Sequence, residues 1–219
     1  LFRNKASQGN PDENPADPEA GAFANKVLEY NPAPSQYMNT SYTAYEEGFT
    51  GIQVLARATE LLQDRTTCLF TLGGFGGNIT VGFDHTILNV PGEYDFKIYG
   101  NAYYDMYGTL LDKPGGNSEP GIVLVSKDTN GNGLPDDEWY ELAGSEYNSP
   151  APIRNYEITY YRPTPADGDV KWKDNQGKEG YIYRNTYHTQ GSYYPAWMPA
   201  EITFRGSRLA DNSINEPRP

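Results

Sequence analysis

The sequence is poor in cysteine, histidine and positive charge, and each shortage removes a class of function. A lone cysteine, Cys68 in Thr67-Cys68-Leu69-Phe70, cannot close a disulfide within the chain, and with 2 histidines it cannot build a zinc cluster. In that apolar run the thiol reads as buried and inert rather than nucleophilic. The chain has 17 basic and 29 acidic residues, a net charge of −12. Nucleic acid and anionic membranes call for a basic patch, so neither is an expected partner. The balance suits divalent cations, although solubility accounts for most of it. No apolar run approaches the roughly 20 residues of a membrane helix. No G-x-S-x-G nucleophile motif is present, and His85 and His188 lie far apart, so each reads as a hydrogen-bonded structural residue. Gly73-Gly74-Phe75-Gly76-Gly77 lacks the Lys-Ser/Thr of a phosphate loop and runs into a strand pattern, which makes it a glycine-rich hairpin or bulge.

What is abundant points to β-structure. Tyrosine reaches 19 residues against 8 Phe and 3 Trp, and Gly (23) and Pro (17) are frequent. Tyr suits a half-buried pleated surface as well as flat ligand faces, and Gly and Pro punctuate short strands. Residues 1–24, with NPDENPADPEAG, are polar, acidic and proline-rich, and read as a flexible linker. Val27–Tyr30 is a short strand stopped by Asn31-Pro32. The stretch 50–64 is the helix candidate, with Ile52, Leu55 and Leu62 on one face, Thr59 between them and Thr50 as cap. Strands are expected at Cys68–Leu72, around Ile79, Val81 and Phe83, and around Tyr94, Phe96 and Ile98. Further strands are expected around Tyr156, Ile158 and Tyr160 and around Ile202 and Phe204. Ile122–Val125, apolar on both faces, is expected to be central. Period-two alternation between turn residues predicts antiparallel sheets with one packed face. The expectation is a mostly-β fold, an antiparallel β-sandwich or jelly roll with one short helix, filling 25–219 as one ligand-binding domain.

The most specific motif is Asp128-Thr129-Asn130-Gly131-Asn132-Gly133-Leu134-Pro135-Asp136-Asp137. Oxygen-bearing side chains at relative positions 1, 3 and 5 and Gly at 6 match the start of a calcium loop. A hard cation takes six to eight oxygens, and alternate residues of a tight loop point inward. Asp128, Asn130 and Asn132 would ligate through side chains and Leu134 through its carbonyl, with Asp136 or Asp137 completing the shell. The loop departs from an EF-hand, because position 12 is Trp139 and no helix pattern flanks it. The competing reading is a polar hairpin turn, since Asn-Gly is also a turn signal.

Two aromatic clusters carry the ligand-binding expectation. One is Asn101, Tyr103 and Tyr104, continuing to Asp105, Met106 and Tyr107. The other runs from Tyr181 through Tyr183, Tyr187, His188, Tyr193 and Tyr194 to Trp197. Neither alternates cleanly, so both read as loops. Rings among Asn, Gln and His suit a glycan or a corrin macrocycle, or else they cover the edges of the core. Asp84, Asp95, Glu119 and Glu138 could supply the carboxylate pair of a glycoside hydrolase, the alternative reading, which needs two carboxyls about 5–9.5 Å apart. A third reading is an adhesion or scaffold module with purely structural calcium.

The stretches VLEYNPAPSQYMN (27–39), LGGFGGNITVGFDHTI (72–87), GEYDFKIYGNAY (92–103), SEPGIVLVSKDTNGNGLPDDEWYELAGSEY (118–147), NYEITYYRP (155–163) and KWKDNQGKEGYIYRNTYHTQ (171–190) carry a resemblance. The chain resembles Bacteroidetes cell-surface proteins, often lipoproteins with a preceding PKD-type domain. The resemblance implies an extracellular β-sandwich that captures a nutrient, a glycan or cobalamin-type corrinoid, at the outer membrane. Outer-membrane transporter components are then the expected partners, and an anchor N-terminal to this chain the membrane attachment. No catalytic residue comes with it, and the expected role is non-enzymatic. Leu1 is not an initiator Met, so the expectation is a trimmed chain. Family members continue past the point matching Leu209, so part of the sandwich or ligand site is expected to lie beyond this sequence.

Overall fold

A computed structural model describes residues 3–4, 23–63, 69–104, 115–210 and 213–215. The fold is mostly β, antiparallel and sandwich-like, with one α-helix among the described residues. In chain order the elements are β1 (Arg3–Asn4), β2 (Lys26–Asn31), a 3-10 turn (Ser41–Thr43), α1 (Gly51–Leu62), β3 (Asn78–Gly82), β4 (Phe96–Lys97) and β5 (Tyr103–Tyr104). There follow β6 (Gly115–Asn117), β7 (Leu124–Ser126), β8 (Trp139–Glu141), β9 (Ile153–Tyr161), β10 (Val170–Asp174), β11 (Glu179–Ile182), β12 (Glu201–Arg208) and β13 (Ser213–Asn215). They gather into two compact units. The first is Leu1–Ile98 with Tyr156–Gly206, and the second Tyr99–Asn155 with Ser207–Pro219. Of the linker read at 1–24, Arg3–Asn4 pairs with Phe96–Lys97, while 1–2 and 5–22 lie outside the described residues, as does Cys68.

The first unit is built on a four-stranded sheet in the order β11-β10-β9-β12. Alternation along β9 sends Tyr156, Ile158 and Tyr160 to one face, and Ile202 and Phe204 of β12 join them. Register sets Trp172 opposite Tyr160 and Val170 opposite Ile182. The opposite face is polar, with the Thr159 and Thr203 hydroxyls bonded at 2.8 Å and Arg205 paired to Glu157. Ala33, Phe75, Tyr193, Tyr194 and Met198, all from loops, cover the apolar face. Each large side chain buried this way contributes about 1.5–3 kcal/mol of transfer free energy.

A second cluster packs α1 on the β2–β3 hairpin. The Thr50 N–H donates to Gln53 Oε1 at 2.9 Å, and so does its hydroxyl, which fixes the first turn. The buried stripe of α1 is Val54, Ala58 and Leu62. The sequence reading puts Ile52 on that face; it is 83% exposed, two residues off the Val54-Ala58-Leu62 stripe that meets β2. Thr59 beside the stripe has a definite task. Pairing of β2 with β3 shifts register between Val27 and Glu29, and the freed Val27 N–H donates to Thr59 Oγ1 at 3.0 Å.

Other expectations are corrected. Leu69–Leu72 forms no strand. It is tied by single bonds, Thr71 N–H to the Tyr42 carbonyl (3.0 Å) and Ala33 N–H to the Leu72 carbonyl (2.9 Å). The 73–77 glycines make a tight turn. Gly73 has φ +77°, and a Cβ there would lie 1.8 Å from the Ala33 carbonyl oxygen, so only glycine fits. Tyr94 stands outside any strand and is 92% exposed. Ile122–Val125 is not central: Leu124–Ser126 pairs with Trp139–Glu141 alone, the Val123 carbonyl accepts from Leu142 N–H at 2.9 Å, and Leu124 is exposed.

The second unit consists of the β7–β8 hairpin and a small sheet in the order β13-β6-β5. Among its described residues Pro152 is the only buried one. Its cross-links are polar. Arg154 donates to the Tyr147 carbonyl at 2.5 Å and to Ser207 Oγ at 3.1 Å, and pairs with Glu141 at 3.5 Å.

Candidate functional site

The 128–137 loop joins β7 to β8 in the second unit and is ordered by its own side chains. Asp128 is its hub. Its Oδ1 accepts from the N–H groups of Gly131 (2.7 Å) and Asn132 (3.2 Å), and its Oδ2 from that of Gly133 (2.8 Å). Asn130 Oδ1 accepts from Asn132 N–H at 2.9 Å and Asn132 Oδ1 from Leu134 N–H at 2.8 Å, two successive Asx turns. Gly131 and Gly133 hold φ values of +71° and +73°, which let the chain coil back on Asp128. Across the loop, Asp136 accepts from the Asn132 amide at 3.0 and 3.3 Å and from the Asn130 amide at 3.4 Å.

Asp136 and Asp137, alternatives in the sequence reading, face different partners. Asp136 looks toward Asn130 and Asn132. Asp137 is turned to Thr129, accepting from its N–H at 3.3 Å and from its hydroxyl. The side chains of Asp128, Asn130, Asn132 and Asp136 thus bond to the loop backbone and, through the asparagine amide nitrogens, to Asp136, and no Lys or Arg pairs with these carboxylates among the described residues. Such a residue set offers the oxygen ligands that a hard divalent cation takes; Asp128 Oδ1 and Asp136 Oδ1 each accept two hydrogen bonds already, while Asp128 Oδ2, Asp136 Oδ2 and the two asparagine oxygens accept one. No group of three His, Cys, Asp or Glu side chains converges among the described residues, so a cation here would rely on the two asparagines and the Leu134 carbonyl. Trp139, at the position of an EF-hand glutamate, donates its indole N–H to the Pro135 carbonyl at 3.3 Å and closes the hairpin instead.

The predicted aromatic residues divide between the units. Asn101 and Tyr103 are exposed in the second unit, with Tyr103–Tyr104 in β5 rather than a loop; the Tyr104 side chain and residues 105–107 lie outside the described set. The others belong to the first unit. Tyr193 and Tyr194 are core residues, 1% exposed each, with hydroxyls used internally: Tyr193 donates to the His188 carbonyl (2.8 Å) and Tyr194 to the Pro199 carbonyl (2.6 Å). Burial pushes the Tyr194 phenol up to about 12, against the nearby Arg162, whose guanidinium sits 4.8 Å over the ring. Trp197 stacks on Tyr45 at 5.4 Å in the helix cluster. Composition reads these three as binding-loop residues; packing makes Tyr193 and Tyr194 core side chains and sets half-buried Trp197 against the helix cluster.

Tyr183, Tyr187 and His188 remain at the surface, at the far end of β11. Tyr181 and Tyr183 stand 6.0 Å apart, and Tyr187 is 90% exposed. Arg184 anchors this loop from beneath, donating to the carbonyls of Asp167 (2.7 Å), Thr189 (3.2 Å) and Gln190 (2.9 Å). Asn185 Oδ1 accepts from the N–H groups of Tyr187 (3.0 Å) and His188 (2.8 Å).

Beside this loop lie two rings that sequence reasoning passed over, Tyr37 and Tyr42. The Tyr37 ring meets His188 at 4.4 Å and 62°, and Tyr42 at 5.5 Å and 73°. Asn185 Nδ2 donates to Gln36 Oε1 at 3.0 Å, linking the two loops. Asn39 reinforces the link, donating to the Ser192 and Tyr194 carbonyls (3.2 and 2.9 Å) and accepting from Ala196 N–H (2.8 Å). The signal was present in Gln36-Tyr37-Met38-Asn39-Thr40-Ser41-Tyr42, which has the same mixture of rings and amides as 183–190.

Compared with family models and with curated proteins, the chain matches none. No helix among the described residues is long and apolar enough to cross a membrane.

Proposed function

We propose that this chain is a non-enzymatic, extracellular ligand-capture module that is stabilised by calcium and takes a glycan or a corrinoid nutrient at the cell surface, in company with outer-membrane transporter components. One observation carries the reading. Two groups of tyrosines in the first unit contrast, whereas in the second unit Tyr140 is exposed with its hydroxyl bonded to Glu138. Tyr30, Tyr156, Tyr160, Tyr193 and Tyr194 are buried and hydrogen-bonded through their hydroxyls, whereas Tyr37, Tyr42, Tyr181, Tyr183 and Tyr187 are exposed with no hydroxyl partner among the described residues. Exposing a large ring forgoes its burial energy, and several exposed rings near one another favour a ligand with a flat apolar face and a polar rim.

Calcium enters through Asp128, Asn130, Asn132, the Leu134 carbonyl and Asp136, with Asp137 holding the loop through Thr129. Bound there, the cation would neutralise the carboxylates and rigidify the β7–β8 connection. The residues of the chain do the rest: the Asx turns preform the loop, and Gly133 permits its turn. The test is a thermal melt of the calcium-loaded protein with a panel of glycans and with cyanocobalamin. A ligand that binds only the folded state must raise the melting temperature. A rise with at least one member is the expected result, and no rise with any would leave the adhesion reading in its place.

A further inference from the structure

Resting on that reading, we propose that Tyr37, Tyr42 and His188 form a subsite for one uncharged pyranose ring. The first argument is strain. Tyr37 has φ +68°, a left-handed conformation that costs a bulky residue about 1–3 kcal/mol. The surrounding bonds fix it there. Its carbonyl accepts from the Thr40 hydroxyl at 2.6 Å. With the Gln190 amide oriented to satisfy both its atoms, Oε1 accepts from Tyr37 N–H at 2.8 Å and the amide nitrogen donates to the His188 carbonyl at 3.2 Å. The outcome of this expense is a ring that is 37% exposed, not one driven into the core.

The second argument is unused bonding capacity. Neither the Tyr37 nor the Tyr42 hydroxyl, nor either ring nitrogen of His188, has a hydrogen-bond partner among the described residues. At the rim the Gln36 amide nitrogen has no partner among the described residues, while the Asn185 amide is committed to Gln36, Tyr187 and His188. A sugar offers matching chemistry: axial C–H groups for a ring face, and hydroxyls that both donate and accept.

Charge and shape narrow the ligand. Gln36, Tyr37, Tyr42, Asn185, Tyr187 and Gln190 carry no formal charge in a chain of net charge −12, and His188 is the one side chain of the patch able to carry a positive charge, so neutral polar groups dominate it. The interplanar angles of 73° and 62° make a cornered surface rather than a flat floor. A corrin macrocycle needs a broad floor; a single pyranose needs one ring face and donors at its edge.

The experiment is saturation-transfer NMR on the calcium-loaded protein. The probes are methyl α-mannopyranoside, methyl β-glucopyranoside, methyl β-galactopyranoside, N-acetylglucosamine and cyanocobalamin. Tyr37→Asn removes the ring with a residue that tolerates the left-handed backbone, and Tyr42→Ala removes the second ring. Tyr94→Ala, an exposed tyrosine elsewhere, is the control. The expected result is transfer to at least one pyranoside, reduced about tenfold in both variants and kept in the control. Circular dichroism confirms that the variants are folded. Pyranoside binding that both folded variants retain overturns the subsite and leaves the capture reading standing. Binding of cyanocobalamin alone overturns the pyranose assignment only. No binding by any probe overturns both.

Discussion

The two units of this chain solve the problem of staying folded by different means. The first buries Tyr156, Ile158, Tyr160, Val170 and Phe204 against loops, and Val54, Ala58 and Leu62 against a hairpin. The second has strands of two or three residues in its hairpin and small sheet, one buried residue among those described, and a loop of carboxylates and amides bonded to its own backbone. Small β-structures with little apolar burial need another source of cohesion, and a metal is a common one. The difference teaches that the proposed calcium site belongs where the hydrophobic term is weakest. The tryptophans report the two separately, Trp172 and Trp197 from the first unit and Trp139 from the second.

The largest expected effect breaks the first unit. Phe204→Ala removes a ring that packs on Tyr160 at 6.1 Å and should cost about 3–5 kcal/mol, read as a lower urea midpoint of Trp172 and Trp197 fluorescence in a Trp139→Phe background. A change under 1 kcal/mol would mean that this core is not what holds the sheet. The next effect concerns the second unit. With calcium at about 100 times its dissociation constant, stability should rise by about 2.7 kcal/mol over EDTA. Trp139 should follow that change in a protein with the other two tryptophans replaced by Phe, and Asp128→Ala should abolish it. A calcium response from Trp172 and Trp197 with none from Trp139 would reverse the comparison.

The smallest effect is acid sensitivity in the β10–β11 connection. Burial alone would raise the Asp174 carboxyl, but the Lys178 N–H (2.7 Å), the Tyr156 hydroxyl (2.8 Å) and the Gln176 N–H (3.0 Å) outweigh it and hold the group below its ordinary value of 3.8. A depressed carboxyl stabilises the fold above its unfolded value, and that contribution is lost as pH falls through the folded one. Asp174→Asn should therefore lower the urea midpoint at neutral pH and flatten its decline below about pH 4. An unchanged acid slope would show that another carboxylate governs it.

Much of the first unit was legible because its strands carry their own code. Tyr156, Ile158 and Tyr160 alternate, and a strand alternates its faces whatever it pairs with. Thr50 and Gln53 mark the helix start for the same local reason. Tyr94, Phe96 and Ile98 alternate as well, yet only Phe96–Lys97 pairs, because alternation supplies a face and not a partner strand. The helix face was misjudged at Ile52 since two stripes of α1 have similar apolar content, and the β2–β3 hairpin decides between them.

The sequence by itself determined the β-rich class, the capped helix and the oxygen spacing from Asp128 to Asp136. Each follows from residues within a few positions of one another, where backbone geometry fixes which groups can meet. Only the tertiary structure decided which tyrosines are core and which are surface. That choice depends on Asn39 reaching Ser192, Tyr194 and Ala196, more than 150 positions away, and on Asn185 reaching Gln36. Such closures are set by the sum of packing across the whole unit, and a side chain's burial is a property of what comes to lie over it rather than of its neighbours in the chain.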